Sequence, residues 1–174
     1  MSRTVVTRPD ELLKAAQRSA VHLEMRDGYM LDDPALHAWQ RGIRHDPADR
    51  SAWWRPWLDV VAEAVSRGVE VRRARIVSEP VSEYIRYEYD VTFPNVAAGE
   101  QVRWLPRRQA STLALPGNDF WLIDGRLVVW GHFAGNGDWL ENEATEDLAA
   151  VQLCSDAFEA VWERATPHDE YKIL

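Results

Sequence analysis

Apolar positions along the chain follow two periods, and the switches between them mark out the elements. Leu12, Leu13, Ala16 and Ala20 recur at helical steps, with Thr7 placed to cap and Asp10 three residues on. Val21, Leu23 and Met25 then alternate with His22, Glu24 and Arg26, which predicts a strand that buries one face and turns His22 to solvent. Residues 27–50 are rich in Asp, Pro and Gly, with room for one helical turn around Leu36 to Arg41, and read as the loosest part of the chain. In residues 51–68 Trp54, Trp57, Leu58, Val61, Ala62 and Val65 share a helical face. Pro56 belongs in a first turn, placing the cap near Ser51 or Trp53, and Gly68 suits the left-handed residue that ends a helix.

A strand follows at 69–76, with Arg between Val69, Val71, Ala74 and Ile76. Residues 82–93 fit both periods. Ile85, Tyr87, Tyr89, Val91 and Phe93 alternate as in a strand, whereas Ser78 or Ser82 could cap a helix striped by Tyr84, Tyr87 and Val91. By count of positions, the strand is favoured. A short strand ends at Pro106, and "DFWLID", "RLVVWGHF" and "DWLENEA" form three more, joined by Asp124-Gly125 and "AGNGD". Trp121 and Trp130 then stand as near cross-strand neighbours. A last amphipathic helix carries Leu148, Val151, Cys154, Phe158, Val161, Trp162 and Ala165 as its stripe.

This order predicts a single α+β domain over residues 1–174, with a mixed, largely antiparallel sheet and helices packed mainly on one face. Residues 1–68 form a helical N-terminal part, and 69–174 the sheet core and closing helix. Disorder is expected only in the first and last few residues.

Composition narrows the function classes. Residues 1–108 carry 17 basic and 16 acidic side chains, and residues 109–174 carry 3 against 12. A balance of −9 in the C-terminal third repels phosphate backbones, so direct nucleic-acid binding is not expected. No apolar run approaches the roughly 20 residues of a membrane span, and the start of the chain lacks a signal peptide's apolar core. The single cysteine, Cys154, has no internal disulfide partner. Together these predict a cytoplasmic protein with no membrane partner.

Candidate chemistry is sparse. The five histidines and Cys154 show no metal-ligand spacing, so neither metal nor cofactor is expected. Cys154 on an apolar stripe reads as a core residue. Arg103, Arg107 and Arg108 beside Trp104 could hold a phosphate or carboxylate bidentately. Asp119 and Asp124 bracket one strand at opposite ends and on opposite faces, poor geometry for a shared acid-base site, and Asp124-Gly125 is explained by hairpin chemistry. His132 ends the return strand. Trp39, Trp53 and Trp139 lack a core pattern and, if exposed together, mark a protein interface.

Four segments, "VRRARIVSEPVSEYIRYE", "NVAAGEQVRWLPR", "NDFWLIDGRLVVWGHF" and "AFEAVWERATPHDEY", resemble an actinobacterial family of domains of unknown function whose members often accompany helix-turn-helix regulators. The resemblance implies a cytoplasmic partner of a transcription regulator. It also implies that 82–93 is a helix linking two strands, and this reading is adopted. "FWLIDGRLVVWGHF" more distantly resembles the C-terminal hairpin of phospholipase D-like domains. That family's motif sets a His seven residues and a Lys five residues before the Asp; here those positions are Gly117 and Asp119. The resemblance therefore implies a catalytically dead copy, with no catalytic residues. The expected function is a non-enzymatic protein that binds a regulator or a small effector, with Arg103, Arg107, Arg108, Asp119, Trp121 and His132 as candidate contacts. The alternative is a phosphodiesterase or nucleotide-acting enzyme of degenerate phospholipase D-like type. Hairpin edges are compatible with a homodimer.

Overall fold

In the computed structural model, which describes residues 7–174, the sheet draws strands from the N-terminal part as well as from the rest of the described residues. The expected disorder of the first few residues falls on 1–6, outside the described residues. The elements are α1 (Pro9–Ala15), β1 (Ser19–Glu24), α2 (Pro34–Gln40), α3 (Arg50–Trp53), α4 (Pro56–Ser66), β2 (Glu70–Val77), α5 (Glu83–Asp90), α6 (Phe93–Ala97), β3 (Gln101–Pro106), a 3-10 turn (Arg107–Ala110), β4 (Asp119–Ile123), β5 (Leu127–Phe133), β6 (Trp139–Thr145), α7 (Leu148–Arg164) and β7 (Thr166–Pro167).

Among the described residues seven strands lie in the order β6-β5-β4-β1-β2-β3-β7. β1, β2 and β3 are parallel neighbours, and the remaining pairings are antiparallel. The mixed, largely antiparallel α+β class therefore holds. The N-terminal part is not simply helical, because β1 occupies the middle of the sheet.

Residues 82–93 are helical over α5, capped by the Ser82 hydroxyl, which accepts from the Ile85 N–H. The strand-like alternation there is an accident of aromatic spacing: Ile85 and Tyr87 are buried, and the cap decides the geometry.

Two prolines shift predicted boundaries. Pro56 and Pro9 each start a helix and force the residue before them to be extended, so Arg55 splits the predicted long helix into α3 and α4. For the same reason Arg8, not Thr7, precedes α1, without a side-chain cap. Gly68 takes φ +88°, as a helix end requires.

Both sheet faces are covered. On one, Val21, Leu23, Ala74, Ile76, Phe120 and Leu122 meet the α7 stripe of Cys154, Phe158, Val161 and Trp162. On the other, Ala20, Val71, Trp121 and Ile123 meet Leu12 and Leu13 of α1 and Leu58, Val61 and Ala64 of α4. The helices thus divide between the faces rather than gathering mainly on one. The C-terminal residues are ordered: Tyr171 is buried against Trp104, their rings stacked at 5.6 Å, and the Leu174 carbonyl accepts from the Val81 N–H. Cys154 is fully buried in apolar surroundings that push its thiol up to about 12, as suits a core residue. No helix of the described residues is long and apolar enough to cross a membrane.

The β4–β5 hairpin turns through Asp124 and Gly125, both at positive φ (53° and 64°). Asp124 has a second task. Its carboxylate accepts the backbone N–H groups of Gln17, Arg18 and Ser19 at 2.7–3.1 Å, clamping the start of β1. Trp121 pairs with Val129 and Trp130 with Phe120, so the two tryptophans point to opposite faces and are not a cross-strand pair.

Candidate functional site

Along the face that carries α1 and α4, apolar side chains give way to polar ones toward the C-terminal ends of β1 and β2. Period 2 places His22 and Glu24 after Ala20, and Arg73 and Arg75 after Val71. Parallel pairing sets Glu24 beside Arg75 in register. Above this floor opens a cavity of about 670 Å³. Asp119 and Trp121 of β4 extend the floor, α5 supplies Tyr84, Tyr87 and Glu88, and the segment after β1 folds over with Tyr29 and Met30. The cavity is of the size that holds a small organic molecule, at the strand ends where open α/β sheets place ligands.

The floor is an ion-pair network. Glu24 accepts from Arg73 Nη1 and Arg75 Nε, both at 2.6 Å. Arg73 Nε donates to Glu100, whose second oxygen accepts from Asn95, at 2.7 and 2.6 Å. Arg75 gives its remaining nitrogens to Thr92 and Glu88, at 2.6 and 2.5 Å. Tyr84 donates to the other Glu88 oxygen at 2.8 Å. Burial pushes the Glu24 carboxyl upward, but the Arg75 and Arg73 guanidiniums outweigh it and hold the group well below the usual glutamate range. With Asp119, three carboxylates of the floor face the cavity against two guanidiniums, and Glu100 lies fully buried beneath them.

Asp119 accepts the Met25 N–H at 2.9 Å and the Tyr29 hydroxyl, tying the covering segment to the sheet. Burial raises its carboxyl from 3.8 to about 6, despite the Tyr29 hydrogen bond. A carboxyl raised on folding stabilises its protonated native form, so this contribution is lost as pH climbs from its ordinary value to the raised one. Asp119→Asn should therefore gain stability relative to the parent across that window in urea unfolding. Parallel curves for the two proteins would contradict the burial of this group.

His22 is not solvent-facing. Its ring stacks on Trp121 at 4.2 Å, and burial lowers it to about 3, so it is neutral. The face expected to be solvent is covered by α4 and α5, which is why the alternation misled. Its Nδ1 is buried without a hydrogen-bond partner, 3.6 Å from Glu24 Oε1.

Of the residues singled out in the sequence, the structure brings together Asp119 and Trp121. Arg103 lies on the opposite face, 4.4 Å over the Trp162 ring and bonded to the Trp162 carbonyl. Arg107 is spent on Ser78 and on the Met25 and Ile76 carbonyls, an internal brace. Arg108 is exposed on the 3-10 turn. His132 faces away from Gly131 and Phe133, which line the cavity, and pairs with Glu143 at 3.0 Å. The three arginines cannot converge because strand alternation and the turn after β3 send them in different directions. Trp39, Trp53 and Trp139 do not form one patch: the first two line a smaller cavity of about 340 Å³, and Trp139 stands half-exposed beside the main one. Among the described residues no group of three His, Cys, Asp or Glu side chains could hold a metal ion.

The sequence pattern of one family, described as "Domain of unknown function (DUF6879)", matches residues 7–173. The chain belongs to the DUF6879 family. Among curated proteins none matches it. This DUF6879 domain is similar in structure to NucT from Helicobacter pylori, at TM-score 0.54 and 12% identity over 91% of this chain and 87% of that one. Nuc from Salmonella typhimurium, a phospholipase D family member, is similar at TM-score 0.49 and 10% identity, over 91% and 86%. TrmBL2, an archaeal chromatin protein, is similar at TM-score 0.48 and 16% identity over 90% of this chain and 48% of that one, so this chain spans about half its length. At these identities the likeness concerns the fold alone. Of the two positions that the sequence resemblance set against a motif's Lys and His, Asp119 lies in the cavity floor and Gly117 lies outside the lining.

Proposed function

We propose that this domain is a non-catalytic effector-binding protein on a phospholipase D-like scaffold, with the cavity over β1, β2 and β4 as its ligand site. The observation that supports it is the state of the floor. The guanidiniums are neutralised by Glu24, Glu88 and Glu100, and the sequence resemblance sets Asp119 where the phospholipase D-like motif carries a lysine. A phosphodiester entering there would meet an excess of negative charge with no nucleophilic histidine. The partner in this reading is a helix-turn-helix regulator, to which the occupied domain reports the effector.

The likeness to NucT favours a second reading, a degenerate phosphodiesterase, at the level of scaffold only. Two measurements on one preparation separate the readings. In a thermal-shift panel of soluble metabolites the effector reading expects at least one compound to raise Tm, with the shift lost in Trp121→Ala. With bis(p-nitrophenyl) phosphate it expects no turnover above buffer. Turnover that is lost in Asp119→Asn would establish the second reading and overturn the first.

A further inference from the structure

The lining of the cavity carries the inference one step further, to the chemical class of the effector, and this step rests on the effector-binding reading above. Its walls are aromatic, with Trp57, Tyr29, Tyr84, Tyr87 and Phe133 in the lining, and Trp121 adds an aromatic ring to the floor. Its floor carries the acid excess. All three Arg75 nitrogens are bonded to protein oxygens, and Arg73 has spent Nε and Nη1, so of the two floor guanidiniums only Arg73 Nη2 is unspent. The carboxylates are better placed to receive. Each Asp119 oxygen accepts one hydrogen bond, as does each Glu88 oxygen, leaving lone pairs available to a donor. Of the other charged groups in the lining, Arg8 and Arg55 are exposed and screened by solvent, and Asp33 partly offsets them.

We infer that the cavity takes an organic cation with a planar apolar body, an arylalkylamine in class, its ammonium directed to Asp119 and Glu88 and its body held between the aromatic walls. Aromatic faces and carboxylates both favour positive charge, and both disfavour an anion of the same shape.

Three indoles that differ in charge test this on the wild-type protein by isothermal titration calorimetry at pH 7.5: tryptamine, tryptophol and indole-3-acetate. Tryptamine is expected to bind about tenfold more tightly than tryptophol, with indole-3-acetate weaker than both. Asp119→Asn keeps an acceptor for the Tyr29 hydroxyl and removes the charge; it should weaken tryptamine about tenfold and leave tryptophol unchanged. Equal binding of all three, or preference for indole-3-acetate, overturns the cation assignment while leaving an effector pocket in place. Silence from all three also overturns it, and the metabolite panel, which does not depend on ligand charge, then decides separately whether the effector reading survives.

Discussion

Arg75→Met should lower the unfolding free energy by about 3–5 kcal/mol, because one side chain neutralises two carboxylates in a water-poor site. Its side chain is 8% exposed, and its nitrogens bond Glu24, Glu88 and the Thr92 hydroxyl. Methionine fills similar volume, so the loss is electrostatic rather than a cavity. The deficit depends on pH in a stated direction. The parent's Glu24 is held below its ordinary 4.5, so its contribution is present above that value and lost as pH falls through the depressed one. The gap between variant and parent should be widest near neutrality and narrow on acidification. Pairing Arg75→Met with Glu88→Gln should restore part of the loss, a coupling of about 0.5–3 kcal/mol. Urea unfolding of the four proteins measures all of this, and strict additivity would show that Arg75 and Glu88 are not partners.

Phe158→Ala is expected to cost about 3–5 kcal/mol by the other large mechanism, a cavity in a packed interior. Phe158 is 1% exposed at the centre of the α7 face. Its ring stacks on Trp162 at 5.6 Å and lies 5.0 Å beneath the Arg72 guanidinium, which is itself held by Glu159 at 2.7 Å. Removing the ring costs dispersion and burial first, then the platform under Arg72. The denaturation midpoint should fall with m unchanged, since the fold persists. A loss under about 1 kcal/mol would mean that α7 closes over the gap.

The two predictions lie on opposite faces of the sheet, and the sequence revealed those faces unequally. The α7 face was legible because apolar residues there obey a single period in each element: Val21 and Leu23, Ala74 and Ile76, and the stripe from Cys154 to Trp162. The other face was not, because its strand positions are charged at one end. His22, Glu24, Arg73 and Arg75 alternate with apolar neighbours as a solvent face would, yet Arg73 and Arg75 are buried and His22 and Glu24 are mostly covered. The available signal was complementarity: two parallel strands, one offering Glu24 and the other Arg73 and Arg75, with Glu88 and Glu100 on the segment that follows the second. Charges of opposite sign at matching register are the mark of a paired, covered face. Pattern counting also misplaced 82–93, where one Ser cap outweighed five alternating positions.

The site was half legible. Asp119 and Trp121, singled out through the hairpin because strand ends and aromatic residues attract notice for general reasons, line the cavity. The arginines were chosen by proximity in sequence, and alternation scatters such neighbours: Arg103 packs over the Trp162 ring and Arg107 braces the segment after β1. Tyr29 and Met30 escaped because residues 27–50 read as loose. That stretch is pinned by long-range contacts no local pattern shows: Tyr29 to Asp119, the Met30 N–H to the Gly137 carbonyl, and Asp27 to Ser78.

Native mass spectrometry of the protein purified from its own host tests the central claim most directly. The account predicts a non-covalent adduct of about a few hundred daltons on the wild-type chain, as suits a cavity of this size. The adduct should be released intact on denaturation and be missing from Trp121→Ala. A bare wild-type chain, or a released product that has lost a phosphoester bond, would contradict it.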